Sequence, residues 1–333
     1  MSEIREDIIT GNHVVIASER GKRPHDFEHE EETKQDDGYC PFCYGNEGDT
    51  PPEIMAVSDD PERKENESGW QIRVVPNKFA ALDIDEDFYH QDGFYKKISG
   101  VGAAEVLIES PEHNSSLGTH ELDHVTDIIK SLKKRYVDLS CDERLKYVQI
   151  FKNHGGTAGA SLAHPHWQIM ATPLVPAAVT GELDGAQDYY QENKSCAYCD
   201  VLEHELKNEE RIVDKSEKFA AFAPYASRYP FETWVMPRGH QSCFGAIKEE
   251  EIEDLAEVLQ KIIRKIEVGF DYPPYNIVLH TAPFVDGVEE KYHWHVEILP
   301  RLSITAGFEL GTGNFINPTP PEVAAQSIKE IKI

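Results

Sequence analysis

Asn153-His-Gly-Gly-Thr-Ala-Gly-Ala-Ser-Leu-Ala-His-Pro-His-Trp-Gln-Ile-Met170 is the stretch whose reading decides the fold. A β-like run, Tyr147 to Phe151, leads into it. Gly155, Gly156 and Gly159 let a backbone approach a phosphate closely and turn N–H groups towards it. Pro165 pushes His164 into an extended conformation. Side chains alternate along an extended segment, so His166 and Gln168 share one face. A neutral imidazole needs no base to expose its lone pair and can form a covalent intermediate. Beside a Gly-rich loop and an amide donor, His166 therefore suggests attack on a phosphorus atom.

Working outward, the second half of the chain repeats the plan of the first. Cys40-Pro-Phe-Cys43 is echoed by Cys196-Ala-Tyr-Cys199, and Lys78-Phe-Ala-Ala-Leu82 by Lys218-Phe-Ala-Ala-Phe222. A strand over 104–109, ending towards His113, is echoed by one over 233–236 ending towards His240. Helical spacing follows in each half: Leu122, Val125, Ile128, Ile129, Leu132 and Tyr136, then Ile252, Leu255, Leu259, Ile262, Ile263 and Ile266. His164-Pro-His166-Trp-Gln168 is matched by His293-Trp-His295-Val-Glu297. The matched order predicts a duplicated α+β unit, each copy an antiparallel sheet flanked by helices, with domains at 1–190 and 191–333. Residues 173–195 read as a Pro-containing connection carrying Glu182. No Gly-x-Gly-x-x-Gly fingerprint occurs, which argues against a dinucleotide-binding doubly wound fold.

Two cysteines from a tight loop and two distant histidines make a tetrahedral N2S2 set, which suits structural Zn²⁺. The first half offers Cys40, Cys43, His113 and His164; the second offers Cys196, Cys199, His240 and His293. A rival second set, Glu182, His280, His293 and His295, would suit iron or zinc. The cysteine set is preferred because thiolates hold Zn²⁺ tightly. A metal on His164 would fix the backbone next to His166 and so orient it.

The chain has 333 residues, 40% of them hydrophobic, which allows a sizeable core. Its net charge of -27 opposes nucleic-acid binding. Anionic phosphates are repelled as well, so a phosphate site has to be locally basic or metal-supported. The basic knot Arg20-Gly-Lys-Arg23-Pro24 stands out for that reason. The N-terminus lacks the apolar core of a signal peptide, and no apolar run reaches transmembrane length. A cytoplasmic protein without membrane partners is expected. In a reducing compartment, four of the six cysteines in two Cys-x-x-Cys pairs read as metal ligands before disulfides.

These residues resemble the galactose-1-phosphate uridylyltransferase family, the two-repeat branch of the histidine-triad superfamily. The carriers are Arg20 to Pro24, Cys40-Pro-Phe-Cys43-Tyr-Gly-Asn-Glu47, Val75-Pro-Asn77-Lys-Phe79, Ser110-Pro-Glu-His113 and Gly159-Ala-Ser161-Leu-Ala-His164-Pro-His166-Trp-Gln168. The resemblance implies a ping-pong transfer in which His166 attacks the α-phosphorus of a nucleoside diphosphate sugar and releases hexose 1-phosphate. A second phosphate acceptor then takes the nucleotidyl group. It also implies that Gln168 bonds the transferred phosphoryl, that Gly159 and Ser161 hold phosphates, and that Asn77 and Asn153 contact the nucleotide. Arg20 and Arg23 would reach phosphates across a homodimer interface. Galactose-type members grip the hexose with a Tyr-Glu pair, where this chain has Thr312-Gly313. That departure is similar to a plant branch acting as an ADP-glucose phosphorylase. The leading expectation is UDP-glucose–hexose-1-phosphate uridylyltransferase. The alternative is an ADP-glucose phosphorylase using inorganic phosphate, and a third reading is a zinc-stabilised nucleotide-binding module without turnover.

Overall fold

The computed structural model describes residues 2–18 and 39–333, so Arg20 and Arg23 lie outside the described residues. The first repeat runs β1 (Glu3–Glu6), β2 (His13–Ile16), β3 (Met55–Val57), β4 (Ile72–Pro76), an exposed hairpin of β5 (His90–Gln91) and β6 (Lys97–Ile98), β7 (Ala103–Ile108), α1 (Leu122–Ser140), β8 (Tyr147–His154) and β9 (His166–Thr172). Two helices, α2 (Ala177–Asn193) and α3 (Ala197–Asn208), lead to β10 (Ile212–Lys215), β11 (Phe219–Phe222), β12 (Thr233–Pro237), α4 (Glu249–Gly269), β13 (Tyr275–His280) and β14 (His295–Pro300). The chain closes with α5 (Gly307–Thr312), β15 (Phe315–Asn317) and α6 (Pro321–Glu330). Among the described residues, no helix is long and apolar enough to cross a membrane.

The duplication expected from sequence is present, and its two sheets are fused. One ten-stranded sheet has the order β10-β11-β12-β14-β13-β8-β9-β7-β4-β3. Read from the middle outward, each half repeats the other's connectivity. The seam is the antiparallel pair β8·β13, in which Ile150 faces Leu279, Phe151 faces Val278 and Asn153 faces Asn276. Each of these strands alone would be an open edge with unpaired N–H and C=O groups, and joining them removes both edges.

Helices α1 and α4 cover one face of this sheet. Their apolar stripes bury Val125, Ile128, Ile129, Leu132, Ile252, Leu255, Ile262, Ile263 and Ile266 against Val148, Ile150, Trp167, Ile169, Ile277 and Val296. Each such side chain contributes about 2 kcal/mol by leaving water. The start of α4 is secured by acidic residues in its first turn, and the Glu251 carboxylate accepts the Lys248 N–H at 2.8 Å. Alternation along β9 then sends Trp167, Ile169 and Ala171 to the helices and His166 and Gln168 to the opposite face. In β7 every residue is buried, because the Cys40–Phe42 loop and Trp70 pack on Val106 and Ile108 from that other side.

Two expectations fail. Residues 173–195 hold the 17-residue helix α2 rather than an irregular connection. Pro176 precedes its first turn, where a proline opens a helix instead of breaking it. Its apolar stripe is nearly absent, only Val179 and Ala186 being buried, so periodicity could not reveal it. The second failure is the likeness of Lys78–Leu82 to Lys218–Phe222. The first is a turn with Phe79 87% exposed, while Phe219–Phe222 is the buried strand β11, whose counterpart in the sheet is β4.

Gly185 of α2 is there for close approach: a Cβ on it would sit 1.7 Å from the Ile9 carbonyl oxygen. Backbone cannot yield as a side chain tip can. Gly185→Ala is therefore expected to destabilise by about 1–3 kcal/mol, seen as a lower urea midpoint. An unchanged midpoint would show that the N-terminal segment is not docked on α2 as described.

Candidate functional site

The two expected Cys/His sets both assemble. In the first, the Cys40–Cys43 turn is closed by Cys43 N–H donating to the Cys40 carbonyl, and Asn46 Nδ2 donates to the same oxygen at 2.7 Å. His164 Nδ1 lies 3.6 Å from both sulfurs, and His113 Nδ1 lies 3.5 Å from Cys43. In the second, Cys196 caps α3 and Cys199 sits in its first turn. Cys199 Sγ is 3.2 Å from His240 Nδ1 and 3.5 Å from His293 Nδ1. A tetrahedron with Zn–S of about 2.3 Å and Zn–N of about 2.0–2.1 Å has S···N edges of about 3.6 Å. The donors thus sit at spacings a single four-coordinate ion would span. The outer nitrogens are also placed for it: His164 Nε2 donates to the Ser110 carbonyl and His240 Nε2 to the Glu289 carbonyl, each at 2.7 Å. That leaves the Nδ1 lone pairs facing inward.

The rival set does not form as a unit. His293 goes with the cysteines, while His280 and His295 group with Glu297. Glu182 joins them through His280, whose Nδ1 is 3.0 Å from Glu182 and whose Nε2 is 3.3 Å from Glu297. Burial would lower the His280 pKa, but the two carboxylates outweigh it and raise it to about 10. Arg228 pairs with Glu297 as well.

His166 starts β9 and donates from Nδ1 to the His164 carbonyl at 2.8 Å, which leaves Nε2 unprotonated. Burial holds its pKa below the ordinary value, against the pull of that carbonyl bond, so the ring is neutral at neutral pH. It is 7% exposed, and the Phe42 ring lies edge-on at 5.5 Å. The register that pairs Lys152 with Trp167 brings Asn153 level with His166 on the next strand. Gln168, half-buried, lies on the His166 face of β9, and Ser161 is exposed in the loop before it. Asn77 stands at the far end of β7, its N–H bonded to the Ala104 carbonyl. At 3.3 Å per residue it is roughly 13 Å along the strand from the level of His166.

The Gly-rich loop differs from expectation in one respect. Gly155–Ala158 winds into a 3-10 turn, and the N–H groups of Ala158, Gly159 and Ala160 donate to the Gly155 and Gly156 carbonyls. The Gly159 N–H is therefore spent inside the turn. The winding thus takes up these three donors within the loop itself.

The equivalent position in the second repeat is closed. His295 makes the same Nδ1 bond, to the His293 carbonyl at 3.1 Å. Yet its ring is stacked between Trp234 at 4.6 Å and His280 at 4.8 Å, with α2 and α3 folded over that face.

Sequence reasoning missed the groups that support the first site. Phe42, inside the Cys-x-x-Cys loop, contacts the rings of both His164 and His166. Lys152 and Glu109 form a fully buried pair at 2.8 Å, and Glu109 N–H donates to the Pro165 carbonyl, tying down the His-Pro-His segment. A charged residue amid the apolar run of β8 was the available signal. The segment that follows the Cys40–Cys43 loop is braced on β4 by Glu53, which accepts a bidentate pair from Arg63 at 2.8 and 2.7 Å and a third bond from Arg73 at 2.9 Å, while Arg73 Nη1 donates to Thr50. Burial would raise the Glu53 pKa, but these bonds outweigh it and hold it below the ordinary carboxylate range. A depressed carboxylate stabilises above its unfolded value and stops doing so as pH falls through its folded one. Glu53→Gln is thus expected to cost about 2 kcal/mol at pH 7, and the difference from wild type to shrink as pH drops below about 4.5. Denaturant titrations across pH test this; a pH-independent difference would refute the bracing role.

Comparison with known proteins agrees with this geometry. Residues 1–176 match the family model for galactose-1-phosphate uridyl transferase, N-terminal domain, and residues 182–331 match that for the C-terminal domain. The chain is 36% identical over 338 residues to ADP-glucose phosphorylase of Arabidopsis thaliana, covering 99% of this chain and 93% of that protein. It is 31% identical over 343 residues to galactose-1-phosphate uridylyltransferase of Thermotoga maritima, covering 100% and 99%. The crystal structure of the Arabidopsis thaliana ADP-glucose phosphorylase with bound ADP-glucose superposes with a TM-score of 0.85 at 35% identity, over 100% of both chains. With both repeats matched end to end and both Cys/His clusters assembled, the chain belongs to the galactose-1-phosphate uridyl transferase family, the two-repeat histidine-triad nucleotidyltransferases that include ADP-glucose phosphorylase.

Proposed function

We propose that the protein is an ADP-glucose phosphorylase that works through an adenylyl-His166 intermediate. The observation that carries nucleotidyl transfer is the bond from His166 Nδ1 to the His164 carbonyl, which leaves a neutral, largely buried ring with its Nε2 lone pair unprotonated on the sheet face opposite the helices. Nε2 attacks the α-phosphorus of ADP-glucose. The bond from that phosphorus to the bridging oxygen breaks, and glucose 1-phosphate leaves. Inorganic phosphate then attacks the same phosphorus, ADP departs, and the imidazole is restored neutral. Charge spreads over the phosphoryl oxygens in each step, so positioned donors do most of the work. Gln168, Ser161 and Asn153 supply them, and Asn77 lies on the nucleoside side.

Phosphorylase is preferred to uridylyl transfer on two grounds. The likeness to the Arabidopsis thaliana enzyme is higher than that to the Thermotoga maritima uridylyltransferase. In addition, Thr312 and Gly313, which replace the hexose-gripping pair of galactose-type members, are occupied in ending α5. Thr312 Oγ1 donates to the Phe308 carbonyl and accepts from Asn314 N–H, and Gly313 takes φ 73°. Zinc is the expected ion in both Cys2His2 clusters, since thiolate with imidazole in a closed tetrahedral set selects it. In the first cluster it would hold His164 and leave the His166 ring to the chemistry.

Purified protein incubated with α-³²P-labelled ADP-glucose should retain label until phosphate is added, whereupon ADP forms. UDP-glucose with galactose 1-phosphate should be the poorer pair. Preference for that pair would restore the uridylyltransferase reading, and an unlabelled protein would support a binding module. His166→Ala should lose turnover by about three orders of magnitude or more. Metal analysis should find two zinc ions per chain, one for each cluster, and one in His164→Asn, with lowered stability. Unchanged metal content in that variant would contradict the ligand assignment.

A further inference from the structure

We infer that Asn276, from the second repeat, is a positioning residue for the nucleotidyl site in the first: it sets the orientation of the Asn153 amide and pins the Gly-rich loop through Ala158. This deepens the nucleotidyl-transfer reading and rests on it.

Asn276 lies on β13 directly opposite Asn153 on β8. Its Nδ2 is 2.8 Å from the Ala158 carbonyl oxygen and 2.8 Å from Asn153 Oδ1. A backbone carbonyl can only accept, so the Asn276 amide has one possible orientation, with its NH2 group towards the loop. The second N–H of that same group then meets Asn153. Only Oδ1 of Asn153 can accept it, so Asn153 is also oriented, by a chain of logic that begins at a carbonyl. Its Nδ2 is left on the side of the Gly159 carbonyl, 3.5 Å away. At that length the bond is weak, and the NH2 group remains available to a phosphate oxygen.

The consequence is electrostatic. Asn153 stands level with His166, where negative charge gathers in transfer. Oriented as it is, it offers a donor; turned over, it would offer a carbonyl oxygen and repel the phosphates. An unrestrained amide would sample both. Asn276 removes that freedom before substrate arrives, which is preorganisation in the ordinary sense. A second cross-repeat contact steadies the same level of the seam: the rings of His154 and Tyr275 stack at 4.6 Å and 18°. The C-terminal repeat, whose own histidine position is closed, thereby contributes to the chemistry of the N-terminal one.

Asn276→Asp keeps the shape but can only accept, so Asn153 should turn its NH2 towards it and present oxygen to the phosphates. Asn276→Leu keeps a similar shape with neither charge nor donor. The measurement is the rate of nucleotidyl-enzyme formation against donor concentration, with zinc content and unfolding midpoint recorded for every protein. Both variants should raise the half-saturating donor concentration by about tenfold or more, with metal content unchanged. In an Asn153→Ala background, Asn276→Leu should add less than about twofold, because the group it acts through is gone. Full additivity of the two substitutions, or wild-type saturation in both single variants, would overturn the inference while leaving labelling of wild type intact. If Asn276→Asp loses its fold, the uncharged Leu variant and its double mutant decide alone. A wild-type protein that takes no label from any donor overturns the nucleotidyl-transfer reading itself and this inference with it.

Discussion

His164 is tied three ways, and the site depends on all three. Its Nδ1 faces two sulfurs, its Nε2 donates to the Ser110 carbonyl, and its own carbonyl accepts from His166 Nδ1. Remove the first tie and the ring can rotate; remove the last and His166 loses its tautomer. The coupling is short because only Pro165 separates the two histidines, and proline restricts the backbone on its N-terminal side. A structural centre and a reactive imidazole are thus two residues apart, with little freedom between them. The buried Glu109–Lys152 pair holds the same segment from behind through the Pro165 carbonyl. Such a pair is weak evidence for stability, but breaking one partner leaves an uncompensated buried charge, which enforces the geometry.

Duplication explains both what the repeats share and how they diverged. The two share the strand order, the helix on one face, the Cys/His cluster and the bond from the second histidine back to the first. They differ in what covers the opposite face. Over the second repeat lie α2 and α3, with Tyr198 and Trp234 closing on His295 and Tyr292 packed on Tyr198. His280 bridges the carboxylates of Glu182 and Glu297 there, and Arg228 pairs with both Glu297 and Glu232. That face is filled by aromatic rings and a buried ion-pair group, so His295 is 1% exposed and sandwiched between two rings, whereas His166 is 7% exposed with the Phe42 ring edge-on. Fusion of the sheets at β8·β13 carries the second repeat's rigidity to the site.

Features that rest on periodicity or residue chemistry were legible in the sequence. The α1 and α4 stripes, the strands of the central sheet and both N2S2 sets follow from apolar spacing and ligand type. Contacts set by tertiary packing were not legible. Helix α2 has almost no apolar stripe because it docks through a glycine against backbone. The Lys78–Leu82 likeness misled because identical letters form a turn when exposed and a strand when buried. Asn276 carries no local signal at all, since its role exists only once β13 pairs with β8. The inward winding of the Gly-rich loop was invisible for a similar reason: glycine content announces flexibility, not the direction in which N–H groups finally point.

The net charge of -27 poses a question for a protein that handles anions. Within the described residues, the groups at the first site are neutral: the His166 imidazole, the amides of Asn153, Asn276 and Gln168, and the Ser161 hydroxyl. The nearby cation Lys152 is buried and matched by Glu109. Neutral donors held in fixed directions can stabilise a phosphoryl group without attracting every anion in solution. Their short-range bonds are also screened by salt far less than surface charges are. An acidic surface repels a phosphate mainly at long range, across about a Debye length of 8–10 Å. At contact, orientation decides. The arrangement therefore places the burden of recognition on geometry, which is why the orientation of one amide in the row beside His166 matters more than the overall charge of the chain.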